Sequence, residues 1–78
     1  MIVFDLLKGE SGIIRSLGTS GSVATRLNSL GITAGKRVTV LSFSLFKGSV
    51  LIRCGTVRAG IRASIAKCIE VEAEKHTS

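Results

Sequence analysis

Few residues in this chain have side chains suited to chemistry. The single histidine, His76, stands beside the C-terminal residues, where chain order is least expected. A general base needs a His, or a carboxylate whose pKa is raised. No second such group pairs with His76 in the sequence pattern. The two cysteines, Cys54 and Cys68, are not arranged as CxxC. Cys54 continues the alternation of Val50 and Ile52, which places it as a small hydrophobe in a core. Cys68 precedes Ile69, and either a core or a surface position fits it. In a reducing compartment both would be free thiols. Glu70, Glu72 and Glu74 alternate on one side of a strand. Carboxylates so placed hold hard cations only when other ligands converge on them, and a solvated face is the commoner outcome. Gly18-Thr19-Ser20-Gly21-Ser22 precedes a helix start, where anions are attracted. It lacks the Lys-Ser/Thr ending of a Walker-type phosphate loop, so a flexible loop with a capping hydroxyl is expected. The pattern names no catalytic residue, cofactor site or metal site, and a non-enzymatic protein is expected.

The elements that would carry these groups are short. Gly and Ser mark the boundaries and there is no Pro. Met1–Leu7 is an apolar opening, read as an edge strand or a strap. Lys8–Gly12 is a turn cluster, and Gly12–Leu17 a strand with Ile13 or Ile14 inward. Val23, Leu27 and Leu30 then recur at helical spacing, which predicts a short helix over about Ser20–Leu30. Ser20 or Thr19 is its expected cap, and Gly31 its left-handed stop. Three turns are too few to be stable alone, so the helix must pack on a sheet. Arg26 flanks its apolar stripe.

The remainder alternates with period two. Val38 and Val40 share one face, then Val50, Ile52 and Cys54, then Val57, Ala59 and Ile61, with Arg58 and Arg62 opposite. Ser64–Lys67 reads as one helical turn, and Ile69 and Val71 point inward beyond it. The fold class expected is mainly β: a small, strongly bent barrel with one short helix, occupying residues 1–74, and a polar tail at 75–78.

The chain has 78 residues, of which 45% are apolar and 21% charged. That suits one small domain with a thin core and excludes a disordered chain. No uncharged run exceeds ten residues, too short for a membrane-spanning helix of roughly 20. The opening residues lack the basic start and long apolar stretch of a signal peptide, so a cytoplasmic protein is expected.

Net charge is +6, and its placement matters more. Nine basic residues and no acid lie between Ser11 and Ile69; the acids sit outside that span. A field of one sign favours an anionic partner, be it nucleic acid, a membrane face or an acidic protein; it also simply aids solubility. Binding of single-stranded nucleic acid uses aromatic platforms, and only Phe4, Phe43 and Phe46 are available. Leu41–Ser49 should be a hairpin connection, yet Phe43, Leu45 and Phe46 fall near its tip, where polar residues are usual. The tip either folds back over a barrel end or offers an apolar patch to a partner.

Arg26-Leu27, Leu30-Gly31, Gly35 and Val38 form an R-L-x2-L-G-x3-G-x2-V run. Gly48, Ile52, Cys54, Gly55, Arg62, Ala66, Ile69 and Val71 follow it. In these residues, and over about Leu6 to Glu72, the chain resembles the FeoA family of bacterial ferrous-iron uptake. The resemblance implies an SH3-like β-barrel carrying a short α-helix. It implies a cytoplasmic accessory protein working with FeoB, a membrane permease bearing a G-protein-like domain, by assisting its assembly or modulating its nucleotide cycle. Two positions depart from the family pattern: Ser49 follows Gly48 where Gly-Pro is frequent, and Gly60 stands where Ala is common. The family supplies no catalytic motif. The same barrel occurs appended to metal-dependent repressors, after a DNA-binding segment not seen here.

Candidate partner contacts are Arg26, Phe43, Leu45, Phe46, Lys47, Arg58 and Arg62. Docking on the permease, close to the anionic inner membrane face, is the first reading. A nucleic-acid-binding barrel, or a metal sensor using Cys68, His76 or the Glu row, are the alternatives. Self-association through an apolar edge is compatible with all three.

Overall fold

The computed structural model describes residues 1–74. The expected tail at 75–78, with His76, lies outside the described residues. Five strands form one antiparallel sheet: β1 (Ser11–Ser16), β2 (Arg37–Phe43), β3 (Ser49–Cys54), β4 (Val57–Arg62) and β5 (Glu70–Ala73). Their order is β4-β3-β2-β1-β5, so β4 and β5 are the edges. Register shifts at Ile14/Ser16 and Val40/Ser42 bend β1 and β2, as bulges do. Helix α1 (Gly21–Ser29) joins β1 to β2, and the single turn α2 (Ala63–Ala66) joins β4 to β5.

The alternation read from the sequence is what buries the core. Val38, Val40, Val50, Ile52, Cys54, Ile61 and Val71 all point inward. Of the two isoleucines in β1, Ile14 is buried and Ile13 half-buried. The N-terminal segment is a strap and not an edge strand. Only Ile2 makes a bridge, to Glu70, and Val3–Asp5 is a 3-10 turn. Val3 and Leu6 fill the core from this strap. Such spacing at i and i+3 suits a helical turn and defeats a strand, which would send the two side chains to opposite faces.

Two boundaries also move. Ser11 belongs to β1, which runs from there to Ser16 and not from Gly12 to Leu17. The Glu10 carboxylate accepts the Leu7 N–H and ends the turn one residue earlier. Leu41–Phe43 extends β2, so the connecting loop begins only at Ser44.

The end of α1 explains the L-x2-L-G run. Gly31 takes φ +82°, a left-handed conformation that favours glycine. Its N–H donates to the Asn28 carbonyl at 3.0 Å, and that of Ile32 to the Leu27 carbonyl at 2.9 Å. Leu27 and Ile32 are both buried. This is a Schellman stop with its accompanying apolar contact. The start of α1 is less regular. Ser20 occupies the cap position but its hydroxyl bonds no helix N–H. Gly21, at φ +67°, enters the helix left-handed, away from the geometry that lets a capping oxygen reach the first turn.

Candidate functional site

Two surface features combine unusual exposure with charge. The first is the β2–β3 connection. Leu45 is 83% exposed and Phe46 94%. Free apolar side chains of this size at a loop tip make it a candidate interaction site. The backbone presents them at a cost, because Phe46 and Lys47 both have positive φ, +63° and +54°. A non-glycine residue held there stores on the order of 1 kcal/mol, so its surroundings must hold it in place.

Those surroundings are visible. The Lys47 N–H donates to the Ser44 carbonyl at 2.8 Å, and the Ala63 N–H to the Gly48 carbonyl at 3.0 Å. Phe43 is half-buried and belongs beneath the tip: its ring meets Phe4 edge-on at 5.5 Å. Lys47 lies over the Phe43 ring at 5.3 Å and Lys67 over Phe4 at 5.9 Å. Both rings are thus engaged within the protein, and they do not form a free stacking platform of the kind single strands use.

The second feature is a groove of about 460 Å³ between α1, β4 and α2. Val23, Leu27, Leu30, Ile61 and Ile65 line it, and Arg26 and Arg62 stand on it. The helix covers the sheet only shallowly. Leu27 alone among its residues is buried, while Val23 and Leu30 stay half-exposed. The sequence pattern flagged both arginines but not the hollow between them. Its one hint was an apolar stripe too narrow to seal a helix against a sheet.

Electrostatics divide the surface. Arg15 pairs with Glu72 and Arg37 with Glu74, each at 2.9 Å. Two of the three C-terminal glutamates are therefore paired, Glu72 of β5 with β1 and Glu74, just beyond β5, with the start of β2. Such exposed pairs add little stability. Among the described residues, Arg26, Arg53, Arg58 and Arg62 have no ion-pair partner. Arg53 and Arg58 sit directly opposite each other across β3 and β4, a placement that disfavours the fold unless an anion screens it. Of the sequence candidates, Leu45, Phe46 and Lys47 thus gather at the tip, with Phe43 packed beneath it. Arg26 and Arg62 meet at the groove, and Arg58 stands apart with Arg53.

The thiols separate. Cys54 is buried, its Sγ 3.4 Å from the Gly31 carbonyl; burial pushes its pKa up, while Lys36 pulls it down less strongly. Cys68 is exposed and lies against the Ser64 carbonyl at 3.4 Å. Among the described residues no three His, Cys, Asp or Glu side chains converge as a metal site would need. The Gly18–Ser22 loop is tied down from behind: Gly18 has φ +62°, and a Cβ there would collide with the Cys68 carbonyl oxygen. Among the described residues no helix is long and apolar enough to cross a membrane.

Comparison with known proteins fixes the relationship. The FeoA domain model matches residues 4–73. The fold superposes on the FeoA protein of Chlorobium tepidum with a TM-score of 0.92 at 23% identity, over 100% of this chain and 74% of that one. Iron(II) transport protein A of Clostridium thermocellum gives 0.87 at 23% identity, over 94% of this chain; the match spans only 45% of that longer chain. The zinc-complexed FeoA of Stenotrophomonas maltophilia, described as a prokaryotic SH3 domain protein, gives 0.79 at 26% identity over 92% and 89%. The fold is therefore SH3-like, as the family resemblance implied. No curated protein sequence matches the chain significantly.

Proposed function

The chain belongs to the FeoA family, and from that premise we propose that it is a non-enzymatic accessory protein of ferrous-iron uptake. It works at the cytoplasmic face, docking on the FeoB-type permease through the β2–β3 tip. Docking assists assembly of the permease or modulates its nucleotide-dependent activity. One observation carries this reading: Leu45 and Phe46 are displayed to solvent by a backbone that pays strain to display them. Burying two such side chains against a partner contributes roughly 1.5–3 kcal/mol each, before the cost of association. Lys47 beside them, and the arginines of the sheet face that have no ion-pair partner among the described residues, add attraction to an acidic cytoplasmic surface.

The test is binding to the detergent-solubilised permease of the same organism, with and without guanine nucleotides. Salt-sensitive binding is expected, weakened at least tenfold by Leu45→Ser with Phe46→Ser, while the melting transition of the double variant stays near that of the parent. A difference between nucleotide states identifies a regulator of the cycle; equal binding identifies an assembly factor. Absence of binding across all nucleotide and salt conditions overturns the reading.

A further inference from the structure

We infer that the groove between α1 and β4 is a second interaction surface, which takes an extended acidic segment of a partner protein laid along the β4 edge. This goes beyond the docking of the tip and uses none of its residues.

Four observations point the same way. First, β4 is an edge strand, and among the described residues no backbone hydrogen bond joins its outer side to another element. Second, consecutive residues Ala59–Arg62 line the groove. Side chains alternate faces along a strand, so a wall of consecutive residues is a strand presenting its edge. Its free N–H and C=O groups are a template for one more strand. Third, Gly60 lies at this wall, and a Cβ built on it meets nothing within 4 Å. Its φ is not in the left-handed range, so backbone geometry does not demand glycine there. An open glycine on a strand suits close approach by another backbone. Fourth, Arg26 and Arg62 flank an apolar floor that includes Val23, Leu30 and Ile65, and neither arginine has an acidic partner among the described residues.

The charge selects the occupant. A second copy pairing antiparallel through β4 about Gly60 would set Arg58 of each copy against Arg62 of the other. A second copy inserting its hairpin tip would bring Lys47 to Arg26 and Arg62. Both juxtapose like charges. Nucleic acid would satisfy the arginines but leave the aliphatic floor without an aromatic or apolar complement. An extended peptide with alternating acidic and apolar side chains satisfies both the arginines and the floor, and its main chain satisfies the edge. Six residues, about 20 Å at roughly 3.3 Å per residue, match the length of β4.

The experiment selects binders from a random dodecapeptide display library on the immobilised full chain. The best sequence is then synthesised, and its affinity measured by fluorescence anisotropy. Enrichment of acids around apolar residues is expected. Arg26→Glu with Arg62→Glu, and separately Gly60→Val, should each weaken binding at least tenfold, and amide shifts on binding should centre on Ala59–Arg62. Leu45→Ser with Phe46→Ser should leave peptide affinity unchanged, so failure here and failure of the tip are told apart. Should Gly60→Val not fold, the exposed arginine variants still decide. No enriched sequence, enriched basic sequences, or affinity indifferent to the groove variants overturns the inference. So does self-association abolished by the same variants, or displacement of the peptide by an oligonucleotide.

Discussion

Ser44 and Ser49 close the base of the hairpin tip on each other through three hydrogen bonds. The Ser44 N–H donates to the Ser49 carbonyl at 3.0 Å, its hydroxyl approaches the same oxygen at 3.2 Å, and the Ser49 N–H donates to Ser44 Oγ at 2.8 Å. One hydroxyl therefore both donates and accepts. A proline at position 49 would have no N–H to give. The hydrogen-bonded serine pair holds the loop closed at its base.

Ser44→Ala removes two of these bonds and leaves the backbone one. Because the hydroxyl is exposed, the loss of stability should be about 1 kcal/mol. Denaturant melts would measure it. The sharper readout is amide hydrogen exchange, which should quicken at Ser49 and Lys47 and stay unchanged in β1 and β5.

The tip itself predicts opposed effects on stability and docking. Phe46→Gly relieves a left-handed φ of +63° and deletes a side chain that touches solvent. Stability should rise by up to about 1 kcal/mol while permease binding falls. A variant that melts lower would show that Phe46 is packed and not displayed.

Phe43 should behave in the contrary way. Its ring is packed on Phe4 and covered by Lys47. Phe43→Ala should cost about 2 kcal/mol, less than a fully buried aromatic. A thermal melt of the single variant checks this. It also shows why a docking test that changes Phe43 confuses folding with binding, and why Leu45 and Phe46 are the residues to change.

What was legible in the sequence follows from period. Alternation at Val38/Val40 and Val50/Ile52/Cys54 has one solution, a strand with that face inward. The Leu27, Leu30 and Gly31 spacing fixed a helix and its stop. Val3 and Leu6 were not legible as core, because six of the seven residues Met1–Leu7 are apolar and no period singles out that pair. Ile32 escaped too. Its burial depends on the left-handed Gly31 swinging the chain back onto Leu27, a step that no periodicity records. The groove was hidden for a different reason. It is a gap between elements far apart in sequence, and only packing creates it. Arg26 and Arg62 were visible singly, as flanking charges, but not as neighbours.

Gly18 gives a prediction about the loop that looked suited to phosphate. Its backbone is left-handed, and the space a Cβ would need is filled by the Cys68 carbonyl. Backbone atoms cannot yield as a side-chain tip would. Gly18→Ala should lose on the order of 2–4 kcal/mol, a large part of the stability of a domain this small. Gly21→Ala meets no such obstacle and pays only for φ +67°. The difference between the two, read from paired denaturation curves, measures the Gly18–Cys68 contact. Equal losses would mean that conformation alone sets both.

Cys54 links stability to pH. Burial raises its pKa above that of the unfolded chain, and Lys36 offsets this only in part. The folded state therefore keeps the thiol proton when the unfolded state has released it. Stability is fully present below the ordinary thiol pKa of roughly 8.5 and declines as pH rises through it toward the folded value. Melting temperatures taken between neutral and mildly alkaline pH should fall. The Cys54→Val variant keeps an apolar side chain on β3 and has no thiol to ionise, so its melting temperature should fall less over the same range. Parallel curves for the parent and Cys54→Val would show that this buried thiol does not set the alkaline loss.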